Sequence, residues 1–85
     1  MNNRRSNVEV IADILRLGEA GKTEIMYSAN MSYRQLQKYL EFLVESGFMD
    51  RIIVPNPGVK YKITDKGHQL LENIDGVLGL LNHTP

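Results

Sequence analysis

The stretch Met31–Phe48, MSYRQLQKYLEFLVESGF, decides how the rest of the 85-residue chain must be arranged. It carries its own start and stop signals. Ser32 can N-cap a helix, and Gln35 three residues on completes a reciprocal capping box. Met31 before the cap and Leu36 at the fourth helical position are spaced as a hydrophobic staple. At the far end Gly47 can take the left-handed conformation that ends helices, and Phe48 beyond it can pack on Leu43. The spacing predicts a helix of about four turns with both ends specified.

Its two faces differ. At about 100° per residue, Leu36, Tyr39, Leu40 and Leu43 form one stripe, with Ser32 and Tyr33 on its margins. Arg34, Lys38, Glu41 and Glu45 lie opposite, flanked by Gln35 and Gln37. The basic side chains occupy the first two turns and the acids the last two. A solvated face on an amphipathic helix is the plain explanation of such charges. Yet the acids sit in the half that the helix dipole disfavours. A helix whose N-terminal half must approach phosphates and base edges accounts for that polarity.

Upstream, Thr23 can cap a brief helix, EIMYSA, that ends before Asn30, with Ile25 and Met26 inward and Tyr27 in the core or on the surface. A short passage then leads to Ser32, so two helices joined by a few residues form a helix-turn-helix pattern. Before them, Ser6 and Glu9 form another capping box and open a helix through Leu17. Its apolar arc is wide: Val8, Ile11, Ala12 and Leu15 make one row, Val10, Ile14 and Leu17 another. Such a helix is central to a core or shared between core and subunit interface. Gly18 and Gly21 bracket a turn.

Downstream, Phe48–Val54 is short and rich in Ile and Val, as a strand is. Pro55-Asn56-Pro57-Gly58 reads as a turn. Val59, Tyr61 and Ile63 then alternate with Lys60 and Lys62, which completes a two-stranded hairpin with a lysine face. Thr64 can cap a last helix, DKGHQLLENIDGVLGLL, in which Leu70, Ile74, Val77 and Leu81 form an a/d seam widened by Leu71 and Leu78. Its first half suits the core. Its second half contains Gly76 and Gly79 and needs another subunit's helix to pack against. The expected fold is mainly helical α+β: a winged helix-turn-helix of three helices, a two-stranded β-hairpin wing and a C-terminal helix. Residues 1–85 read as a single domain, with 64–81 completing the core and dimerising.

Composition narrows the function. A chain of this length buries about 60–65% of its unfolded surface and is marginal alone. It has no cysteine, which excludes a disulfide framework, a thiol nucleophile and a thiolate metal site. No apolar run approaches the ~18 residues of a membrane span. MNNRRSNVEV has a basic pair but no uninterrupted apolar region after it, unlike a secretion signal. The expected location is cytoplasmic, and nucleoid-associated if the chain binds DNA. Formal net charge is zero, which disfavours a simple nucleic-acid sponge. Between Ser32 and Lys62, however, five basic residues face three acids, leaving +2 there and −2 elsewhere.

The segments IMYSANMSYRQLQKYLEFLVESGFM and YKITDKGHQLLENI give the chain a family likeness. It resembles the small archaeal winged-helix DNA-binding proteins and predicted transcriptional regulators, including a chromatin-associated group that dimerises through a C-terminal helix. The specific features are I-M-Y-x-A-N-x-S-Y, the glycine before the first wing strand, and Y-x-I-T-x-K-G. The resemblance implies a recognition helix at Ser32–Ser46 in the major groove, a wing near Pro55–Gly58 on the flanking backbone, and a homodimer. The last helix is shorter than in the chromatin-associated members and holds glycines. The wing tip carries no Arg or Lys, so wing contacts fall to Arg51, Lys60 or Lys62.

Candidate DNA contacts are therefore Ser32, Tyr33, Arg34, Gln37, Lys38, Arg51, Lys60 and Lys62. Arg34 can pair with a guanine edge or bridge phosphates, Gln37 can read adenine, and Ser32 and Tyr33 offer hydroxyls to phosphate oxygens. Tyr33 serves equally well packed on the first helix. The lysines double as the solvated, aggregation-resistant edge of a hairpin. Arg4 and Arg5 could reach a minor groove or simply form a basic, loose start. Leu70, Ile74, Val77, Leu78 and Leu81 are the candidate dimer contacts.

No catalytic constellation, cofactor or small-molecule effector is indicated. His68 and His83 lack ligand partners at metal-binding spacing. Glu41 with Glu45 reads as surface charge, not as an acid–base pair. The reading is a non-enzymatic transcriptional regulator that binds double-stranded DNA as a homodimer. A winged helix used only for protein interaction, or a sequence-tolerant architectural DNA-binding protein, is the alternative.

Overall fold

The computed structural model describes residues 6–55 and 58–82. Arg4, Arg5, the wing tip at Asn56 and Pro57, and His83 lie outside the described residues. The elements run α1 (Asn7–Arg16), β1 (Glu19–Ala20), α2 (Lys22–Ala29), α3 (Tyr33–Glu45), β2 (Met49–Val54), β3 (Gly58–Ile63) and α4 (Asp65–Leu81). This is the winged-helix order, mainly helical.

Both expected capping boxes form. Ser6 accepts from the Glu9 N–H and Ser32 from the Gln35 N–H, each at 3.2 Å, while the Glu9 and Gln35 side chains accept from the cap backbones. The α3 terminus closes as a Schellman motif: Gly47 has φ +82°, and the Phe48 N–H donates to the Leu43 carbonyl at 2.8 Å. Asn30 ends α2 in the left-handed region at φ 53°. α2 itself starts at Lys22 with Gly21 as N-cap and no side-chain cap, so Thr23 is not its capping residue.

The sheet has three strands, in the order β1-β3-β2 and antiparallel throughout. Its third strand replaces the expected turn between Gly18 and Gly21. Glu19 pairs with Lys62 and Ala20 with Tyr61. The Gly18 carbonyl accepts from the Ile63 N–H at 2.7 Å. A two-residue strand is too short for alternation to show in sequence; it exists because β3 offers it an unpaired edge.

One hydrophobic core joins these layers. Ile14 and Leu15 of α1, Ile25 of α2, Leu36 and Leu43 of α3 and Met49 of β2 are fully buried. Burying each such side chain contributes on the order of 1.5–3 kcal/mol. The wide apolar arc of α1 is mostly used inside the chain: Val10, Ala12, Ile14 and Leu15 are buried, and only Val8 is well exposed. Tyr27 is a surface residue.

The Thr64-Asp65-Lys66-Gly67 segment clasps the end of α3. The Thr64 hydroxyl donates to the Gly47 carbonyl at 2.6 Å and accepts from the Gly67 N–H at 3.0 Å, which caps α4. Lys66 donates to the Ser46 carbonyl at 2.8 Å, and its ammonium lies 5.1 Å from the centre of the Phe48 ring. Gly67 is buried against the Phe48 carbonyl, where a Cβ would collide. α4 also meets α1 through Arg16 and Asp75, whose side chains form three hydrogen bonds of 3.0–3.1 Å. The hydrogen bonds from Asp75 raise the pKa of the Arg16 guanidinium above its ordinary value. Both side chains are about half exposed, so this pair contributes at most ~1 kcal/mol.

Candidate nucleic-acid interface

α3 is held at its start by the Ser32 cap, at its end by the clasp, and along its length by the buried stripe Leu36, Leu40 and Leu43. Tyr39, half-buried, donates its hydroxyl to the Asn7 side chain at 2.7 Å and ties α3 to the start of α1. The side opposite the stripe is therefore fixed in direction. Arg34, Lys38, Glu41 and Glu45 are all exposed there. At about 100° per residue these four fall within an arc of about 60°, making a ridge with cations in front and acids behind.

A cleft flanks the ridge on each side. The one toward the sheet is about 360 Å³ and brings Lys22, Gln37, Glu41, Glu45 and Arg51 together. The other, about 470 Å³, lies against α1 and is lined by Ile11, Tyr39, Phe42 and Lys38. Lys38 thus borders the apolar cleft as well as the ridge.

The remaining candidates separate. Tyr33 is 54% exposed and contacts α2: the Lys22 ammonium lies 5.4 Å from its ring centre and 3.4 Å from its hydroxyl. Ser32 is exposed, but its hydroxyl serves the cap. Gln37 is half-buried, and its Oε1 is buried without a hydrogen-bond partner. Bidentate reading of adenine requires that oxygen to turn outward, so the adenine role expected of Gln37 needs a different rotamer.

The wing cations divide between two faces. Arg51 stands opposite Tyr61 and so shares the face turned to α3. Lys60 and Lys62 alternate onto the other face. There Lys62 is in register with Asp50 on one side and Glu19 on the other, and Lys60 lies 4.0 Å from the Glu19 carboxylate. Glu19, brought in by the unforeseen β1 pairing, and Asp50 of β2 thus offset the lysine face. Lys22 was not among the sequence candidates. Its only sequence signal is its place at the start of the helix before α3.

On α4, Ile74 is buried within its own chain and Leu70 packs against the core, leaving Leu78 half-buried and Val77 and Leu81 exposed at 54% and 64%. Leu80, outside the expected seam, is 78% exposed. No group of three or more metal-ligating side chains occurs among the described residues, and no described helix is long and apolar enough to cross a membrane.

Known proteins resemble this chain in sequence or in fold. An uncharacterized protein of Methanocaldococcus jannaschii is 34% identical over 85 residues, covering 96% of this chain and 82% of the relative. Sso10a-2, a DNA-binding protein from Sulfolobus solfataricus, superposes with a TM-score of 0.83 at 32% identity, over 92% of this chain and 83% of that one. The transcriptional regulator BldR from Sulfolobus solfataricus shares the fold, with a TM-score of 0.80 at 20% identity over 86% of this chain and 56% of its own. The winged helix-turn-helix family profile matches residues 4–81, and the chain belongs to that family.

Proposed function

We propose that the chain is a regulator that binds double-stranded DNA as a homodimer, with α3 in the major groove and the hairpin along the flanking backbone. One observation carries the reading. Arg34 and Lys38, one helical turn apart, project into solvent from a helix whose other side is sealed in the core. An α-helix fits the major groove, and its leading residues meet base edges and phosphates. The likeness to Sso10a-2, described as a DNA-binding protein, supports it. Lys22 and Arg51 line the cleft beside α3, and in this reading they meet phosphates on one side of that groove. Lys60 and Lys62 contribute less, because Glu19 and Asp50 lie beside them.

Dimerisation through the second half of α4 supplies the partner for Val77 and Leu81. A formal net charge of zero disfavours bulk attraction and leaves the local cations beside α3, together with paired half-sites, to supply affinity.

The test is a salt series of duplex-binding measurements on the wild type, Arg34→Ala and Lys38→Ala. Log affinity should fall linearly with log salt, and a variant that no longer neutralises one phosphate should show a slope shallower by about 0.9. Each variant should bind about tenfold more weakly. Wild-type affinity that ignores salt, with both variants unchanged, would leave the protein-interaction role as the better account.

A further inference from the structure

We propose that Glu41 is a base-reading residue that accepts a hydrogen bond from the N4 amino group of a cytosine in the major groove. The inference rests on the DNA-binding reading above and adds a specificity determinant to it.

Few acceptors on α3 are free. Ser32 Oγ receives the Gln35 N–H, and Gln35 Oε1 receives the Ser32 N–H, so the capping box occupies both. Gln37 Oε1 is buried. Lys22 donates to the Tyr33 hydroxyl. The Tyr39 hydroxyl is engaged with the Asn7 side chain. Glu41 is the next acceptor along the helix; it is exposed, and its carboxylate makes no hydrogen bond or ion pair among the described residues.

Its position suits a base edge. By helical geometry Glu41 lies only about 20° around the axis from Arg34 and about 60° from Lys38. The seven residues from Arg34 correspond to about 10 Å of rise, roughly three base-pair steps. Glu41 therefore reaches the floor of the same groove that Arg34 enters, a few pairs further on. Glu45 is another turn along, at the last helical residue, where the helix leaves the groove.

Charge then determines the ligand. A helix that only gripped phosphates would gain from a neutral or cationic side chain at position 41, because a carboxylate near the backbone is repelled. The ridge instead carries two cations and two acids and is locally neutral. A carboxylate in the major groove is favourable where it meets a donor, and the cytosine N4 amino group is the donor that Glu and Asp pair with there. Arg34 with guanine and Glu41 with cytosine would read opposite kinds of edge from one ridge.

Selection of duplexes from a random pool, run with the wild type, Glu41→Ala and Glu45→Ala, tests this. Both substituted sites are on the surface, and circular dichroism should show unchanged helicity. The wild type should enrich a motif with cytosine at one position of each half-site, with replacement by thymine weakening binding about tenfold. Glu41→Ala should lose that preference and keep the others. Glu45→Ala should keep the whole motif. An unchanged motif in Glu41→Ala, or an affinity gain equal for all duplexes, overturns the inference and leaves the DNA-binding reading standing. A wild type that binds no duplex overturns both.

Discussion

Gly67 shows how much one missing carbon can control. The T-x-K-G motif resolves into three separate contacts with the end of α3: the Thr64 hydroxyl on Gly47, the Lys66 ammonium on Ser46, and Gly67 packed under Phe48. A Cβ at Gly67 would collide with the Phe48 carbonyl and lie 2.7 Å from the Ile63 side chain, and neither backbone nor buried Ile63 has room to yield. Gly67→Ala should therefore destabilise the fold by about 2–3 kcal/mol in urea unfolding, as overpacking does. A loss below about 0.5 kcal/mol would show that α4 can slide away from α3, and that the clasp does not set the direction of α3. Sequence could mark this glycine as part of a motif but could not say why it is there. The reason is a contact with Phe48, 19 residues away in the chain, which no local pattern records.

Elements were legible wherever local chemistry and tertiary packing agreed. α1, α3 and α4 each begin at the capping residue that their sequences specify, and α3 ends at the expected glycine. The two failures had no local signal. β1 is two residues held by pairing with β3, and α2 starts on a glycine without a side-chain cap, where Thr23 looked the better candidate. The candidate site was half legible by the same logic. The outward face of α3 follows from periodicity, whereas the offsetting of the lysine face by Glu19 and Asp50 depends on strand register. The end of α4 shows an element working against its own propensity. Gly76 and Gly79 lie in its interior, and nothing stands within 4 Å of a Cβ built on either. Gly79→Ala should accordingly raise stability by about 0.5–1 kcal/mol, read as a higher urea midpoint with the same slope. A destabilised variant would mean that a close neighbour occupies that space in solution.

The whole chain leaves one apolar stripe unfinished. Leu70, Ile74, Val77 and Leu81 fall along one side of α4 at about 100° per residue, yet burial stops at Ile74. The stripe continues while the domain beneath it ends, and the chain's 50 Å long axis against 18 Å for the shortest shows how extended the body is. A specific interface buries about 800 Å² on each partner, a modest share of the 6225 Å² surface of this chain. Two-fold pairing of the exposed halves of α4 would close both stripes at once, since each residue meets the same patch of its twin. It would also hold two recognition helices at a fixed separation, the requirement for reading paired half-sites. Val77→Glu tests this cleanly, because the side chain is 54% exposed and its replacement leaves the core intact. In a symmetric pair one substitution adds a carboxylate from each subunit to the same apolar seam. The wild type should sediment at twice the 9.7 kDa chain mass at micromolar concentration, and Val77→Glu at the single-chain mass with unchanged circular dichroism. Because a dimer links two weak half-site contacts through effective concentration, the variant should also lose at least about tenfold in affinity for a paired site while holding its affinity for a single half-site. A wild type that stays at 9.7 kDa into the high micromolar range would remove both the interface and the paired-site argument, and α3 would have to read DNA one copy at a time.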